Sequence, residues 1–199
     1  MKRRTLDVGA LPSFAFGHQG LIWWGTIGFM VIEGSMFVMA IVTYFFLRTR
    51  VPDWPPGLPN PDVTLGTINL LVLLASVIPN QMTKRAAEHM ELRRVQRLLL
   101  VCLGFGVVFL VVRAFEFGAL GALWNSNAYG SIVWVIMGLH TAHLLTDVLD
   151  TAVLTALMFT AHAEPKRFVD VSENALYWYF VVLSWIPIYL TVYFAPRWL

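Results

Sequence analysis

Residues Tyr129 to Asp150 combine an apolar sequence with four ionisable side chains, His140, His143, Asp147 and Asp150. At 100° per residue of α-helix, these four fall within about a quarter turn of one another. A helix of this segment therefore carries a single polar stripe. Because an Asp facing lipid at mid-membrane costs about 2.5 to 3.5 kcal/mol, we expect the stripe to face other helices, water or a partner subunit.

The two histidines of the stripe raise the question of a metal or haem site. His140 and His143 project from one side of a helix, so they could share a metal ion but could not bind opposite faces of one haem. A mononuclear or dinuclear site with Asp147 stays open, although catalytic iron sites usually take further ligands from other helices. We favour hydrogen bonding between helices, and we predict no metal and no cofactor in this chain. The other histidines, in terminal or loop regions, are His18, His89 and His162.

Glu33 lies at the middle of the first apolar segment. A carboxylic acid at that depth is kept neutral by desolvation, is bonded to a partner such as a histidine, or belongs to a proton route. A structural cross-link and a proton-linked role therefore both stay open for Glu33. Arg113 and Glu116, near the end of a later apolar segment, are expected to form an ion pair on one helical face. The predicted polar network comprises Glu33, Glu116, His140, His143 and Asp147.

The composition indicates what must hold these groups in place. Hydrophobic residues make up 58% of the 199 residues, charged residues only 13%, and the mean hydropathy is +0.67. Such a chain is too apolar for an ordinary soluble domain, and we expect no nucleic-acid partner. Its single cysteine, Cys102, excludes an intrachain disulfide and a cysteine-bound metal cluster. We predict an all-α integral membrane protein, a single membrane domain over residues 1–199, with transmembrane spans at about residues 20–47, 64–82, 98–117, 129–160 and 175–194.

The segments between the predicted spans differ in character. Residues 51–62 contain five prolines and are expected to form a stiff loop. Residues 84–97 are charged and favour helix, so they should extend the second and third spans beyond the membrane. Residues 162–174 predict a polar connection to the fifth span, which Pro187 should kink. The second span should bond to neighbouring helices through Asn69, Ser76 and Asn80.

The basic residues are distributed unevenly between the two ends of these spans. Ten of the 14 Lys and Arg residues fall on the side that holds the N-terminus, three fall on the other side, and Arg113 lies within a span. By the positive-inside rule, this distribution predicts a cytoplasmic N-terminus. The connection between the second and third spans could also hold anionic lipid head groups. The candidate contacts are Arg85, Arg93, Arg94 and Arg97.

Five sequence segments follow one another in an order that is typical of one protein family. The first span reads WWGTIGFMVIEGSMFVMAIVTYFFLR and precedes a WPP loop, the second contains TINLLVLLAS, and the third ends in RAFEF. The fourth contains GLHTAHLL, and the fifth contains YWYF followed by a Trp and a Tyr. Over nearly all of residues 20 to 195, the chain resembles the five-helix core of cytochrome c oxidase subunit III.

This resemblance implies a short bacterial form whose first two helices are separated from the last three by a lipid-filled cleft. It further implies a non-catalytic subunit in the bacterial cytoplasmic membrane, with bound phospholipid and with haem and copper in its partner subunits. The implied partners are oxidase subunits I and II, and membership of a larger respiratory assembly stays open. In the family, such a subunit supports sustained proton uptake by subunit I.

The resemblance also assigns individual residues. Glu33 matches the carbodiimide-reactive carboxylate of the family, His140 and His143 match its GxHxxH motif, and Glu116 matches the acid that closes its third core span. The family usually has His-Phe-Val-Asp where this chain has residues 179–182, Tyr-Phe-Val-Val. These departures suit a divergent branch, such as the subunit III-like proteins associated with nitric oxide reductases. A stand-alone membrane enzyme or proton-linked transporter, using Glu33 and the polar stripe, is the alternative from another class.

Overall fold

The computed structural model describes residues 14–161 and 163–198, and within them every regular element is helical. His162 and the basic residues of the N-terminus lie outside the described residues. After a short 3₁₀ turn come α1 (Leu21–Arg48), α2 (Val63–Glu88), α3 (Leu92–Ala119) and α4 (Ala128–Met158). The last helix, α5 (Pro165–Tyr189), continues through a π-helical segment (Leu190–Phe194) into a final α-helical turn (Ala195–Trp198).

All five helices are long and apolar enough to cross a membrane, which confirms the predicted all-α membrane fold with five spans. The reason is length combined with composition. Helix α2, for example, has 26 residues and extends about 39 Å at the helical rise of 1.5 Å per residue, more than the roughly 30 Å of a hydrocarbon core.

Local sequence signals set the helix ends at the extramembrane turns. The Asp62 carboxylate caps α2 by accepting from the Thr64 backbone N–H at 3.0 Å, and the Asn127 side chain caps α4 by accepting from Gly130 N at 2.8 Å. The hydrogen bonds from the Thr64 backbone and hydroxyl hold the pKa of Asp62 below its usual range. The proline-rich loop before α2 folds over the bundle, where Trp54 packs edge-on against Tyr129 with ring centroids 5.1 Å apart.

The charged segment 84–97 behaves as predicted, because α2 runs to Glu88 and α3 begins at Leu92. The prediction for residues 162–174 was wrong in part. Pro165 starts α5 at a position where proline is favourable, so most of the supposed connection forms the first turns of that helix. Shortly after Pro187 the backbone adopts the π-helical segment, at the place where the sequence predicts an irregularity.

The packing of the helices corrects the predicted separation of the first two helices from the last three. Instead, α2 packs most extensively against α3 and α5, α1 packs against α4 and α5, and α1 and α2 at most touch among the described residues. Polar residues of α2 explain this arrangement. Asn69 donates to Glu116 of α3, Ser76 accepts from the Trp178 indole of α5, and Asn80 donates to the Ala175 carbonyl of α5.

Helix α1 buries only a narrow stripe of side chains. These are Glu33, Phe37, Ala40 and Tyr44, spaced three or four residues apart, so they form one face toward α4 and α5. Most of its other large apolar side chains are exposed, as expected of a helix bordered by lipid or by a partner subunit. Helix α1 therefore closes one side of a bundle whose tightest packing lies among α2, α3, α4 and α5.

Close approach between α3 and α4 depends on the absence of a side chain at Gly106. A Cβ at this position would lie 2.5 Å from Cγ2 of Val148, whereas a Cβ at Gly104 meets nothing within 4 Å. We expect Gly106→Val to destabilise the fold by about 1 to 3 kcal/mol through overpacking. Gly104→Val carries the same change in helix propensity without the clash and is the matched control. Thermal unfolding of the two variants in mild detergent measures the difference, and equal midpoints would contradict this packing account.

Candidate functional site

The Glu33 carboxylate lies where α1 meets α4 and α5. Its Oε1 is 3.2 Å from Nε2 of His143, and its Oε2 accepts a hydrogen bond of 2.6 Å from the Tyr177 hydroxyl. The other imidazole nitrogen of His143, Nδ1, lies 2.6 Å from the Leu139 carbonyl oxygen. The structure thus brings together two residues that the sequence predicts for one network, Glu33 and His143, and places both among buried side chains.

The protonation of this pair follows from its hydrogen bonds. A carbonyl oxygen can only accept, so Nδ1 of His143 carries a hydrogen that it donates to Leu139. The contact between Nε2 and Glu33 then needs one shared proton, held either by the acid or by the imidazole. Without that proton, two lone pairs would face each other in a buried site. Both occupied arrangements are neutral overall, and therefore the shared proton can lie on either side chain without a net buried charge.

One turn along α4, Asp147 belongs to a second polar group, centred on Asn174 of α5. The Asn174 amide donates to Oδ1 of Asp147 at 3.0 Å and to Oδ2 of Asp150 at 3.1 Å. The Thr151 hydroxyl donates to the Asn174 carbonyl oxygen at 3.1 Å, which fixes the orientation of the amide. Asp147 is only 3% exposed, yet its Oδ2 has no hydrogen-bond partner among the described residues.

These two groups line an open groove of about 630 Å³. Its walls are the first half of α1, the second half of α4 and the first half of α5, so it lies toward the end of the bundle where α1 begins, which we call the inner end. The predicted topology puts the inner end on the cytoplasmic side. Besides Glu33 and Asp147, the ionisable residues of the groove are Asp150, Arg167, Asp170, Glu173 and Tyr177.

Arg113 and Glu116 form the predicted ion pair, at 3.1 Å, and both side chains are only 1% exposed. Glu116 also accepts from the Tyr193 hydroxyl and, at 2.5 Å, from the Asn69 amide. The Arg113 guanidinium lies over the Trp185 ring, 3.9 Å from its centroid, which adds a cation–π contact. Helices α2 and α3 and the π-helical segment after α5 therefore converge on one carboxylate.

His140 belongs to this second cluster and not to the groove. Its Nε2 lies 3.0 Å from the Val181 carbonyl oxygen, so Nε2 carries the hydrogen, and its Nδ1 faces the Arg113 guanidinium at 3.4 Å as an acceptor. The two histidines of the motif therefore serve different partners, with the Phe37 ring beside both of them, 4.9 Å from His143 and 6.2 Å from His140 between centroids.

The shared metal site that stayed open for these histidines has no counterpart in this geometry. All four imidazole nitrogens already face protein partners, and Asp147 bonds to Asn174. In the part of the chain that the structure describes, no group of three or more His, Cys, Asp or Glu side chains could hold a metal ion.

The four arginines considered for lipid head groups are exposed at the inner end, on the last turn of α2 and the first turns of α3. Arg94 pairs with Glu91 at 3.1 Å, in a bridge that is 56% and 46% exposed on its two sides. Their position at the membrane boundary is compatible with contacts to anionic lipid. The residues concerned are Arg85, Arg93, Arg94 and Arg97.

Sequence reasoning missed the partners that α5 contributes. Tyr177 and Tyr193 were identifiable only as members of an aromatic-rich helix, because their carboxylate partners lie on α1 and α3, far away in sequence. Asn174 was assigned to a connection and not to a helix. Proline favours the first position of a helix, so Pro165 could have been taken as the start of the fifth helix. Asn174 and Tyr177, three residues apart, then lie on one face of that helix, and both side chains line the groove.

Comparison with known proteins gives a consistent match over almost the whole chain. The family model described as cytochrome c oxidase subunit III matches residues 13–197. A cytochrome c oxidase subunit 3 of Synechocystis sp. is 27% identical over 187 residues, covering 92% of this chain and 80% of the relative. The corresponding proteins of Corynebacterium diphtheriae and Thermostichus vulcanus are 27% and 25% identical, over 90% and 87% of this chain and 91% and 87% of their own lengths.

The buried ion pair predicts an unequal response to substitution. Arg113→Leu leaves Glu116 buried without its cation, and we expect it to destabilise the protein by about 3 to 5 kcal/mol. Arg94→Leu breaks an exposed pair and should change stability by less than about 1 kcal/mol. Thermal unfolding in mild detergent measures both effects. A small effect of Arg113→Leu would show that Glu116 becomes protonated or hydrated at little cost.

Proposed function

Because the chain belongs to the cytochrome c oxidase subunit III family, we propose that it is a non-catalytic accessory subunit of a respiratory haem-copper terminal oxidase. The observation that carries the proposal is the extent of the match, which runs through all five helices and includes both polar clusters. In this proposal the chain stabilises subunit I, contacts subunit II, and relies on those partners for haem and copper.

The surface of the bundle supports lateral assembly in a membrane. Large apolar side chains are exposed along α1, α2, α3 and α4, including Met39, Leu71 and Phe115. Such a surface suits lipid and neighbouring transmembrane helices equally well. The proposed location is the bacterial cytoplasmic membrane, with the inner end of the bundle toward the cytoplasm.

Phospholipid binding belongs to the same proposal. Since α1 and α2 do not form a separate pair, the head-group contacts are assigned to the exposed arginines of the α2–α3 turn and not to a cleft between two helix groups. Guanidinium groups at the membrane boundary attract anionic head groups by about 1 kcal/mol each.

The proton-linked part of the proposal rests on Glu33. Its shared proton with His143 can move between the two side chains without creating a net buried charge, and the groove brings this pair within reach of the inner end of the bundle. In an oxidase, such a unit supports proton uptake by subunit I by holding an exchangeable proton near the uptake surface. Association with a nitric oxide reductase stays as the alternative partner, favoured by the Tyr-Phe-Val-Val sequence at residues 179–182.

Isolation from native membranes tests the proposed function. In mild detergent, an affinity-tagged chain should copurify with a haem-containing subunit, and the separated chain alone should contain no haem, copper or iron. Mass spectrometry of the copurifying proteins distinguishes an oxidase from a nitric oxide reductase. A stoichiometric metal or intrinsic turnover in the isolated chain would instead support a stand-alone enzyme.

Glu33→Gln separates the structural role of this residue from its proton-linked role. A neutral amide can still accept from Tyr177 and contact His143, so we expect a normal yield of the complex. Oxidase turnover should start at a normal rate and then inactivate faster, because the amide cannot hold the shared proton. Glu91→Gln, at an exposed position, is the control and should leave inactivation unchanged. Identical inactivation kinetics in both variants would leave Glu33 as a purely structural group.

A further inference from the structure

We propose that the groove between α1, α4 and α5 is a water-filled vestibule that attracts small cations, and therefore protons. It leads from the inner end to Asp147 and to the Glu33–His143 pair, and it does not continue beyond that pair. The inference deepens the proposed function and rests on it, since it describes how the proton-linked site is reached. It assigns a role to Asp147 and to the acids around it, beyond Glu33 itself.

Polar side chains line the groove at both of its ends. Arg167 and Asp170 lie at the mouth, on the first turns of α5, beside Ile22 at the start of α1. Glu33 and Asp147 lie at the deep end, close to the middle of their helices. A lipid molecule in this groove would place its hydrocarbon chains against carboxyl groups, which is unfavourable. Water is favoured over lipid in the groove, because water molecules can form hydrogen bonds with each carboxyl group.

Two buried carboxyl oxygens in the groove have no partner among the described residues. They are Oδ2 of Asp147, in a side chain 3% exposed, and Oε2 of Glu173, in a side chain 6% exposed. A buried acceptor without a partner costs about 1 to 3 kcal/mol, so each needs a proton or a water molecule. Both residues line a space large enough for many waters, and therefore solvent in the groove satisfies both oxygens at once.

The charges that face the groove come from several elements and are mainly acidic. Arg167 is the cation among the lining residues, and Asp170 neutralises it at 3.0 Å. Lys84 and Glu88 of α2 act on Glu173 from outside the groove, with opposite signs. The low-dielectric walls strengthen the field of the remaining carboxyl groups, which favours cations over anions. His143 lies behind Glu33, which it contacts. The ionisable groups lining the groove are Glu33 on α1, Asp147 and Asp150 on α4, and Arg167, Asp170, Glu173 and Tyr177 on α5.

The groove ends at the Glu33–His143 pair because the next layer is apolar. Phe37 packs against His143, and Phe180 lies 6.1 Å from Phe37 between ring centroids. Behind this layer lies the cluster of His140 and Arg113, whose charge is neutralised by Glu116. No hydrogen bond among the described residues links the two clusters, and the proposed route for protons is therefore the inner end.

Cysteine accessibility tests the vestibule in the full complex in native membranes. On a Cys102→Ser background, Val153→Cys places a thiol in the groove, and Val135→Cys places one on the same helix outside it. The two valines are matched in size and in exposure, at 57% and 55%. Methanethiosulfonate reagents react with thiolates, which form only in contact with water. The reagents are a membrane-impermeant cationic one and its anionic analogue, applied to sealed vesicles of each orientation.

We expect Val153→Cys to react from the inner end only, about tenfold faster with the cationic reagent than with the anionic one, and Val135→Cys to stay unreactive. Adding Asp150→Asn and Glu173→Gln should bring the two rates together. Equal reactivity of the two thiols, reaction from the opposite side, or no preference for the cation would each overturn the vestibule. None of these outcomes affects copurification with an oxidase, so a failure here is distinguishable from a failure of the proposed function.

Discussion

Burial of the Glu116 carboxylate among three helices is the constraint from which the arrangement of this bundle follows. An acid 1% exposed in a membrane protein needs partners for both oxygens, and here they come from Arg113 on α3, Asn69 on α2 and Tyr193 in the π-helical segment after α5. Each partner fixes the rotation and depth of its helix. Hydrogen bonding of this kind replaces the hydrophobic effect, which does not drive helices together in lipid.

The same requirement explains why the last helix departs from regular α-helical geometry. Proline at 187 removes a backbone donor, and the π-helical segment that follows shifts the register of the side chains after it. Tyr193 thereby lies against Gly66, where a Cβ would be 2.5 Å from its ring, and its hydroxyl reaches Glu116. The contact between Tyr193 and Glu116 therefore depends on residues of three helices. Gly66 on α2 leaves room for the Tyr193 ring, and Pro187 on α5 precedes the segment that carries it.

The sequence was sufficient to predict the five helices, the inward direction of His140, His143 and Asp147 but not of the exposed Asp150, and the pairing of Arg113 with Glu116. Each of these depends on hydropathy or on spacing within one helix, which a sequence displays directly. It was insufficient for the contacts between α1 and α5, such as Glu33 with Tyr177, and for the association of α2 with α3 and α5. Those depend on which faces of distant helices meet, and neither face is distinguished by its own periodicity.

The separation of His140 from His143 is the step at which structure changes the functional interpretation. On the sequence, a stripe of imidazoles and carboxyl groups along one helix is compatible with a relay across the membrane. In the fold, His143 shares its proton with Glu33, while His140 serves as a neutral acceptor beside a fixed positive charge. A transporter needs access from both sides in turn. Among the described residues, the two histidines contact different clusters, and their contacts therefore do not form the continuous relay that a transporter would use.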